Sequence, residues 1–286
     1  MKKTIISCVL FLTAVTAFSQ TTMKTAAEAK LSASDLAVKI ADRILATTTY
    51  EFKNTKTGKT YKSVKNLPLD MNVKVACKYN NWHYTNGVTH IALMELADKT
   101  GAKKYDDYVF KNMDFVFNEG NLDFFKKQYD QAMKDEGWYG VRKLSWHMIF
   151  RGKRLDDNGP MGASLIDLQM KHPNNSFLNY INETAEHLNY GEPRLADGTI
   201  ARIWPHENTI WADDAFMAIS FLARMAKMTG DMNYINDAAN QVIKYHKYLW
   251  CPEKRILYHC YHTDTDEHGV AHWSRANGWV FMATAD

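Results

Sequence analysis

Apolar positions recur with the 3.6-residue period of a helix along most of the chain, but the faces they leave differ from one segment to the next. Over residues 215–228 apolar side chains occupy nearly every face, the pattern of an inner helix packed on all sides. Over 234–249 Ile235, Ala238, Ala239, Val242 and Tyr245 alternate with Asn236, Asp237, Gln241 and Lys244, which predicts an outer helix with one wet face. Further helices are predicted over 34–48, 105–118, 122–134, 161–171 and 175–189, with a long connector carrying Gly58 and Pro68 before Trp82. Residues 257–273 read as loop or short strand, and a last helix starts near Arg275.

The pattern repeats. Residues 82–105 lie over 211–234 at a constant offset of 129: each copy opens on Trp, runs through an apolar helix and reaches Ala-x-x-Thr-Gly-x-x-x-Tyr. Gly101 and Gly230 are placed to end their helices in the left-handed conformation, so each copy is a helical hairpin. A weaker third copy runs over 165–177, with Leu168 and Phe177 in the places of Leu96 and Tyr105 and Pro173 where glycine stands in the others. Repeated hairpins with alternating inner and outer helices imply an all-α double ring, an (α/α) barrel. A ring of six hairpins needs more helices than the roughly nine visible here, so the chain is expected to lack the last ones.

Composition adds three constraints. Lys2 and Lys3, an uncharged apolar run over 4–18 and the small-residue pattern Ala17-Phe18-Ser19 form a secretory leader, residues 1–19, which predicts a periplasmic or secreted protein with one catalytic barrel domain over 20–286. The apolar run is shorter than the roughly 20 residues that span a bilayer, and Cys8 sits inside it instead of at its end, so neither membrane partner nor lipid anchor is expected. Without Lys2 and Lys3 the basic residues exceed the acidic ones by one, which offers no surface for nucleic acid. The remaining cysteines, Cys77, Cys251 and Cys260, leave at least one thiol free. Fifteen Tyr, 13 Phe and 8 Trp against 14 Gly and 6 Pro suit helices around a cleft that stacks sugar rings.

Chemistry concentrates in four places. Trp204-Pro205-His206-Glu207 and Trp211-Ala212-Asp213-Asp214 crowd the start of an inner helix with aromatic and acidic groups. A carboxylate there commonly caps the free N–H groups, but adjacent acids on a helix point about 100° apart, so one can cap while the other faces the cavity. Asp156-Asp157 stand before another inner helix, where capping again competes. His259, Cys260, His262, His268 and His272 supply metal-ligand types without metal-ligand spacing, and Asp264-Thr265-Asp266 lacks the closing acid of a calcium loop. Trp273, Arg275 and Trp279 combine a fork for a carboxylate with flat faces for a sugar, against the plainer reading of an amphipathic helix start.

Taken in order, Asp156-Asp157-Asn158-Gly159-Pro160-Met161-Gly162, Trp211-Ala212-Asp213-Asp214-Ala215-Phe216-Met217, Leu257-Tyr258-His259 and Trp273-Ser274-Arg275-Ala276-Asn277-Gly278-Trp279 resemble glycoside hydrolase family 105, the unsaturated rhamnogalacturonyl hydrolases and their relatives. The resemblance extends from about Trp82 and implies an (α/α)6 barrel. It implies that Asp213 is the general acid/base. It further implies that Trp211, Asp214, His259, Trp273, Arg275 and Trp279 surround an unsaturated uronic ring, with Asp157 or its neighbour Asp156 as a second acid. Ala276 departs from a common family glycine.

The implied substrate is an oligosaccharide left by a polysaccharide lyase, whose end uronic acid carries a C4=C5 double bond. Asp213, kept protonated by apolar neighbours such as Trp211, would donate to C4 while water adds at C5. No metal or organic cofactor is required. The alternatives are a relative acting on unsaturated glucuronyl ends of ulvan or glycosaminoglycan fragments, an inactive sugar-binding barrel, and a sugar epimerase, which would need a pair of histidines in the cleft.

Overall fold

A computed structural model describes residues 32–152 and 154–286; the leader read over 1–19 lies outside the described residues. The chain divides into two compact units, one ending at Ala46 and the other running from Thr47 to Asp286. The described part of the first is almost entirely helix, within α1 (Ala33–Thr47).

The second unit opens on a small antiparallel sheet that the sequence pattern does not reveal: β1 (Phe52–Asn54) lies between β2 (Thr60–Tyr61) and β3 (Val73–Val75), with Phe52 opposite both Tyr61 and Val75. Strands of two or three residues hold too few alternating positions to stand out from a connector. Phe52 is buried, with ring centroids 5.8–5.9 Å from Phe115, Phe124 and Phe125.

Helical hairpins follow. Helix α2 (Tyr84–Thr100) turns at Gly101 into α3 (Lys104–Phe117), then come α4 (Glu119–Glu136) and the short α5 (Trp138–Val141) and α6 (Met148–Arg151). The second hairpin is α7 (Leu155–Lys171) with α8 (Asn175–Glu186), which runs on into a π turn, His187–Gly191. After β4 (Thr209–Trp211) comes the third, α9 (Ala212–Thr229) and α10 (Met232–Leu249). Strands β5 (Trp250–Cys251), β6 (Ile256–Leu257), β7 (Cys260–His262) and β8 (Glu267–His268) lead to α11 (Ser274–Ala285).

Gly101 and Gly230 end α2 and α9 at φ 69° and 74°, each sending its N–H back to Ala97 or Ala226, as the repeat predicts. Helix α7 differs from expectation. It begins at Leu155, not near Met161, and carries Pro160 inside it. Proline removes one helical donor, but twelve residues of this helix are buried, and that packing outweighs the local loss.

Helices α2, α7, α9 and α11 pack side by side in that order, with α3, α8 and α10 returning along the outside of α2, α7 and α9. Helix α10 buries only Ala238, Gln241, Tyr245 and Leu249, one stripe, whereas α9 buries a continuous run from Ala212 to Leu222. Each outer helix runs back, so the inner helices all begin at one end: Trp82 Nε1 donates to the Asp157 carbonyl at 2.8 Å, and Asp213 meets Arg275.

Contact between the inner helices is close enough to need glycine. A Cβ on Gly159 would stand 1.9 Å from the Met217 carbonyl oxygen, and one on Gly87 2.3 Å from the Pro160 carbonyl carbon. Both obstacles are backbone, so the helices themselves would have to separate. By contrast nothing lies within 4 Å of a Cβ at Gly230, where only the left-handed φ resists substitution. Gly230→Ala is expected to cost about 1–2 kcal/mol, and Gly159→Ala about 3 kcal/mol, with the larger loss accompanied by weaker near-ultraviolet circular dichroism. Urea denaturation of the two variants measures the difference.

Candidate active site

Asp213 and Asp214 occupy the first turn of α9, yet neither caps it: Trp211, the N-cap residue, makes no side-chain cap bond. The Ala212 N–H donates instead to the His259 carbonyl at 2.9 Å. This bond extends the ladder in which β4 pairs antiparallel with β7, Trp211 opposite Cys260 and Thr209 opposite His262. The His259 N–H in turn donates to Ala271 at 2.9 Å. His259 is therefore held by its backbone on both sides, directly against the start of α9.

The ladder fixes the central contact. His259 Nε2 lies 2.9 Å from Asp213 Oδ2, and Arg275 Nη2 approaches Asp213 Oδ1 at 3.6 Å. The imidazole ring stands edge-on to Trp211 at 4.9 Å and to Trp273 at 5.0 Å, and the Arg275 guanidinium lies over the face of Trp273 at 3.8 Å. Asp213 is 7% exposed while the Arg275 side chain is 47% exposed, so the carboxyl is lodged in the wall and the arginine stands at the opening with donors to spare. Asn277 secures α11 beside this group: its side chain accepts from the Leu257 N–H at 2.8 Å and donates to the Leu257 carbonyl at 3.0 Å, as a neighbouring strand would.

Asp214 points elsewhere. Its carboxylate receives Arg202 at 2.6 and 2.7 Å in a bidentate pair, and the Arg202 guanidinium also covers the face of Trp211 at 4.3 Å. Burial pushes the Asp214 carboxyl up to about 6 although Arg202 pulls it down. Burial works against the charge of Arg202, but Asp214 outweighs it and holds the guanidinium firmly protonated. Asp156 is 3.7 Å from the same guanidinium and half-buried. Asp157 turns into the core, fully buried, where Arg151 grips both of its oxygens; burial raises its carboxyl against the pull of that arginine. Of the two acids at the start of α7, the one beside Arg202 is thus Asp156.

The π turn adds a pair that no motif announced. His187 Nε2 is 2.9 Å from Glu192 Oε2, and the His187 ring packs so closely on Gly191 that a Cβ there would meet Nδ1 at 2.5 Å. Burial, with the charge of Asp214 adding to it, pushes the Glu192 carboxyl up to about 8. Glu192, His187, Arg202, Asp156 and Asp214 line one cavity of about 210 Å³.

Asp213, Trp211, His259, Trp273 and Arg275 thus come together as one cluster. Trp279 lies deeper, stacked on Phe216 at 5.1 Å and edge-on to Tyr84 at 6.4 Å, with its indole N–H buried and unpartnered. Asp214 and Asp156 face Arg202, and Asp157 stands apart with Arg151. His262, His268 and His272 are engaged with Cys260, the Tyr248 carbonyl and the Leu257 carbonyl, and among the described residues no group of three His, Cys, Asp or Glu could hold a metal ion. Arg202, Arg151, Glu192 and His187 escaped the sequence reading because their partners, five to twelve residues away, follow no motif spacing and meet only through the turns that the fold sets between them.

The sequence profile described as Glycosyl Hydrolase Family 88 matches residues 59–286, which takes in every member of this cluster. The chain belongs to that family. Over 177 residues the family-88 chain is 25% identical to the unsaturated rhamnogalacturonyl hydrolase YesR of Bacillus subtilis, covering 59% of itself and 46% of that protein. Its fold is similar to a family-105 glycoside hydrolase of C. acetobutylicum (TM-score 0.56, 22% identity, 77% of this chain and 54% of that one). A possible family-105 member from Klebsiella pneumoniae aligns over 90% of this chain and 61% of its own, at a TM-score of 0.56 and 13% identity. The all-α (α/α)6-barrel class expected from the motifs and hairpins holds, the fold is shared with members of family 105 as the motif resemblance implied, and the chain spans about half the length of the relatives it matches.

The Glu192 proton makes the pH dependence of the family-88 chain predictable. The folded carboxyl keeps its proton to about pH 8 while the unfolded one releases it near 4.5, so the folded state binds more protons between these values and loses stability as pH rises through them. Urea midpoints at pH 5 and pH 8 should show this fall, and Glu192→Gln, which cannot ionise, should flatten it and surpass the parent at pH 8.

Proposed function

We propose that the protein is an exported hydrolase that removes the unsaturated uronic acid from the non-reducing end of lyase-generated oligosaccharides such as rhamnogalacturonan fragments. The observation that carries the reading is the Asp213 carboxyl between His259 and Arg275, with Trp211 and Trp273 on either side of the imidazole. Membership of family 88 and the likeness to YesR support the reaction class. The leader read in residues 1–19 supports a periplasmic or secreted location.

In this mechanism the half-exposed Arg275 receives the uronate carboxylate through the donors it does not spend on Asp213, and Trp273 orients it from beneath. Asp213 gives its proton to C4, the C4=C5 π pair forms the new C–H bond, and positive charge at C5 is shared with the ring oxygen. Water adds at C5 and yields its proton to the Asp213–His259 pair, which restores the acid. The product is a C5 hemiketal whose ring opens to a ketone. The hemiacetal left at C1 then releases the remaining oligosaccharide, so that one water is consumed in all. Unlike a reaction at the glycosidic bond itself, this path needs one carboxyl and not an opposed pair.

Loss of the ultraviolet absorbance of the C4=C5 bond reports turnover on a panel of lyase products with galacturonyl and glucuronyl ends. Asp213→Asn should lower kcat by about 100-fold to 10,000-fold with an unchanged circular dichroism spectrum. Equal rates in variant and parent would remove Asp213 from its role, and a parent that binds the panel without consuming its absorbance would make the protein a sugar-binding barrel. Arg275→Gln should chiefly raise KM, by about tenfold.

A further inference from the structure

The cavity beside Asp214 has a feature the reaction leaves unused. Its polar groups are partnered within it: Arg202 with Asp214 and Asp156, and Glu192 with His187. Arg154 is different. It lines the same cavity, is exposed, and lies over the Trp204 ring at 5.3 Å, and among the described residues no carboxylate comes within ion-pair distance of it. Trp204 is itself 63% exposed, an unusual place for the largest apolar side chain unless something covers it.

We infer that this cavity receives the sugar next to the uronic acid, and that Arg154 on Trp204 selects sugars there that carry an oxyanion, either a carboxylate or a sulfate ester. Three observations converge on that ligand. The cavity, about 210 Å³, has room for one pyranose ring and is walled by Asp156 and Asp214, the neighbour of Asp213. Trp204 offers the ring a flat apolar face. The Arg154 guanidinium, a planar fork by its own delocalisation, lies beside that face at 5.3 Å with its donors claimed by no carboxylate among the described residues, and such a fork takes two oxygens of one oxyanion. The acids of the cavity are partly offset: burial keeps Glu192 protonated up to about pH 8, and Asp214 and Asp156 share the Arg202 guanidinium.

The inference rests on the proposed hydrolase reading for its setting, and the test separates the two. Unsaturated disaccharides with a neutral second sugar, a carboxylate-bearing one and a sulfated one are compared on the full chain by kcat/KM and by quenching of tryptophan fluorescence. The parent should favour at least one anionic substrate over the neutral one by roughly tenfold, the worth of one charge-assisted hydrogen bond in partial contact with solvent. That preference should shrink with added salt. Arg154→Gln should bring the ratio to about one, and Arg154→Lys, which keeps the charge but not the fork, should fall between. The two anionic arms tell carboxylate from sulfate. A parent ratio within twofold of one, or a ratio that survives Arg154→Gln, overturns the inference and leaves the hydrolase reading standing. If the chain consumes none of the three yet binds an anionic one more tightly through Arg154, the hydrolase reading falls and the site remains.

Discussion

A carboxyl group withdrawn from water needs a polar partner at its side, and the starts of two inner helices bury three such groups: Asp157, Asp213 and Asp214. The glycine contacts between α7 and α9 leave little room for compensating groups on those helices themselves. Each partner therefore arrives from a flanking segment: Arg151 from the end of α6, Arg202 from the loop before β4, His259 from the turn after β6, and Arg275 from the start of α11. The loops at this end of the unit are arranged by that requirement. Removing one partner would leave a buried carboxyl group unsatisfied, so their positions are constrained as tightly as those of the acids.

Two neighbouring acids serve different ends because their partners differ. Asp214 accepts both arms of a buried arginine and is spent on holding Arg202 across Trp211. Asp213 has an imidazole and a half-exposed arginine, groups that can exchange a proton or turn to meet a ligand. In the proposed reaction, chemistry falls to one carboxyl of the pair because of the surroundings that the loops supply.

Much of this was legible in the chain. The Thr-Gly turns mark two hairpins because a left-handed residue at a helix end has a strong local signature, and the face patterns separate inner α9 from outer α10 because burial is written in periodicity. The ordered motifs led to Asp213, His259 and Arg275 as neighbours. Other features have no local mark. Arg202 becomes meaningful only through Asp214 and Trp211, Glu192 only through a π turn that no composition rule signals, and Asp157 reads like Asp156 until Arg151 claims it. Capping was a fair expectation for acids at a helix start. It failed at α9 because the first N–H is taken by the His259 carbonyl, a partner 47 residues from Ala212 that only the strand ladder brings near.

That ladder also separates what must stay constant from what is free to vary. Register between β4 and β7 sets how far His259 stands from Asp213, and β7 continues through Asp264-Thr265-Asp266 into β8, an exposed reversal on the far side of the pairing. Residues added or deleted at that reversal lengthen the hairpin outward without sliding one strand along the other. The rim can in this way be remodelled, by natural drift or by a grafted peptide, while His259 and Asp213 keep their spacing.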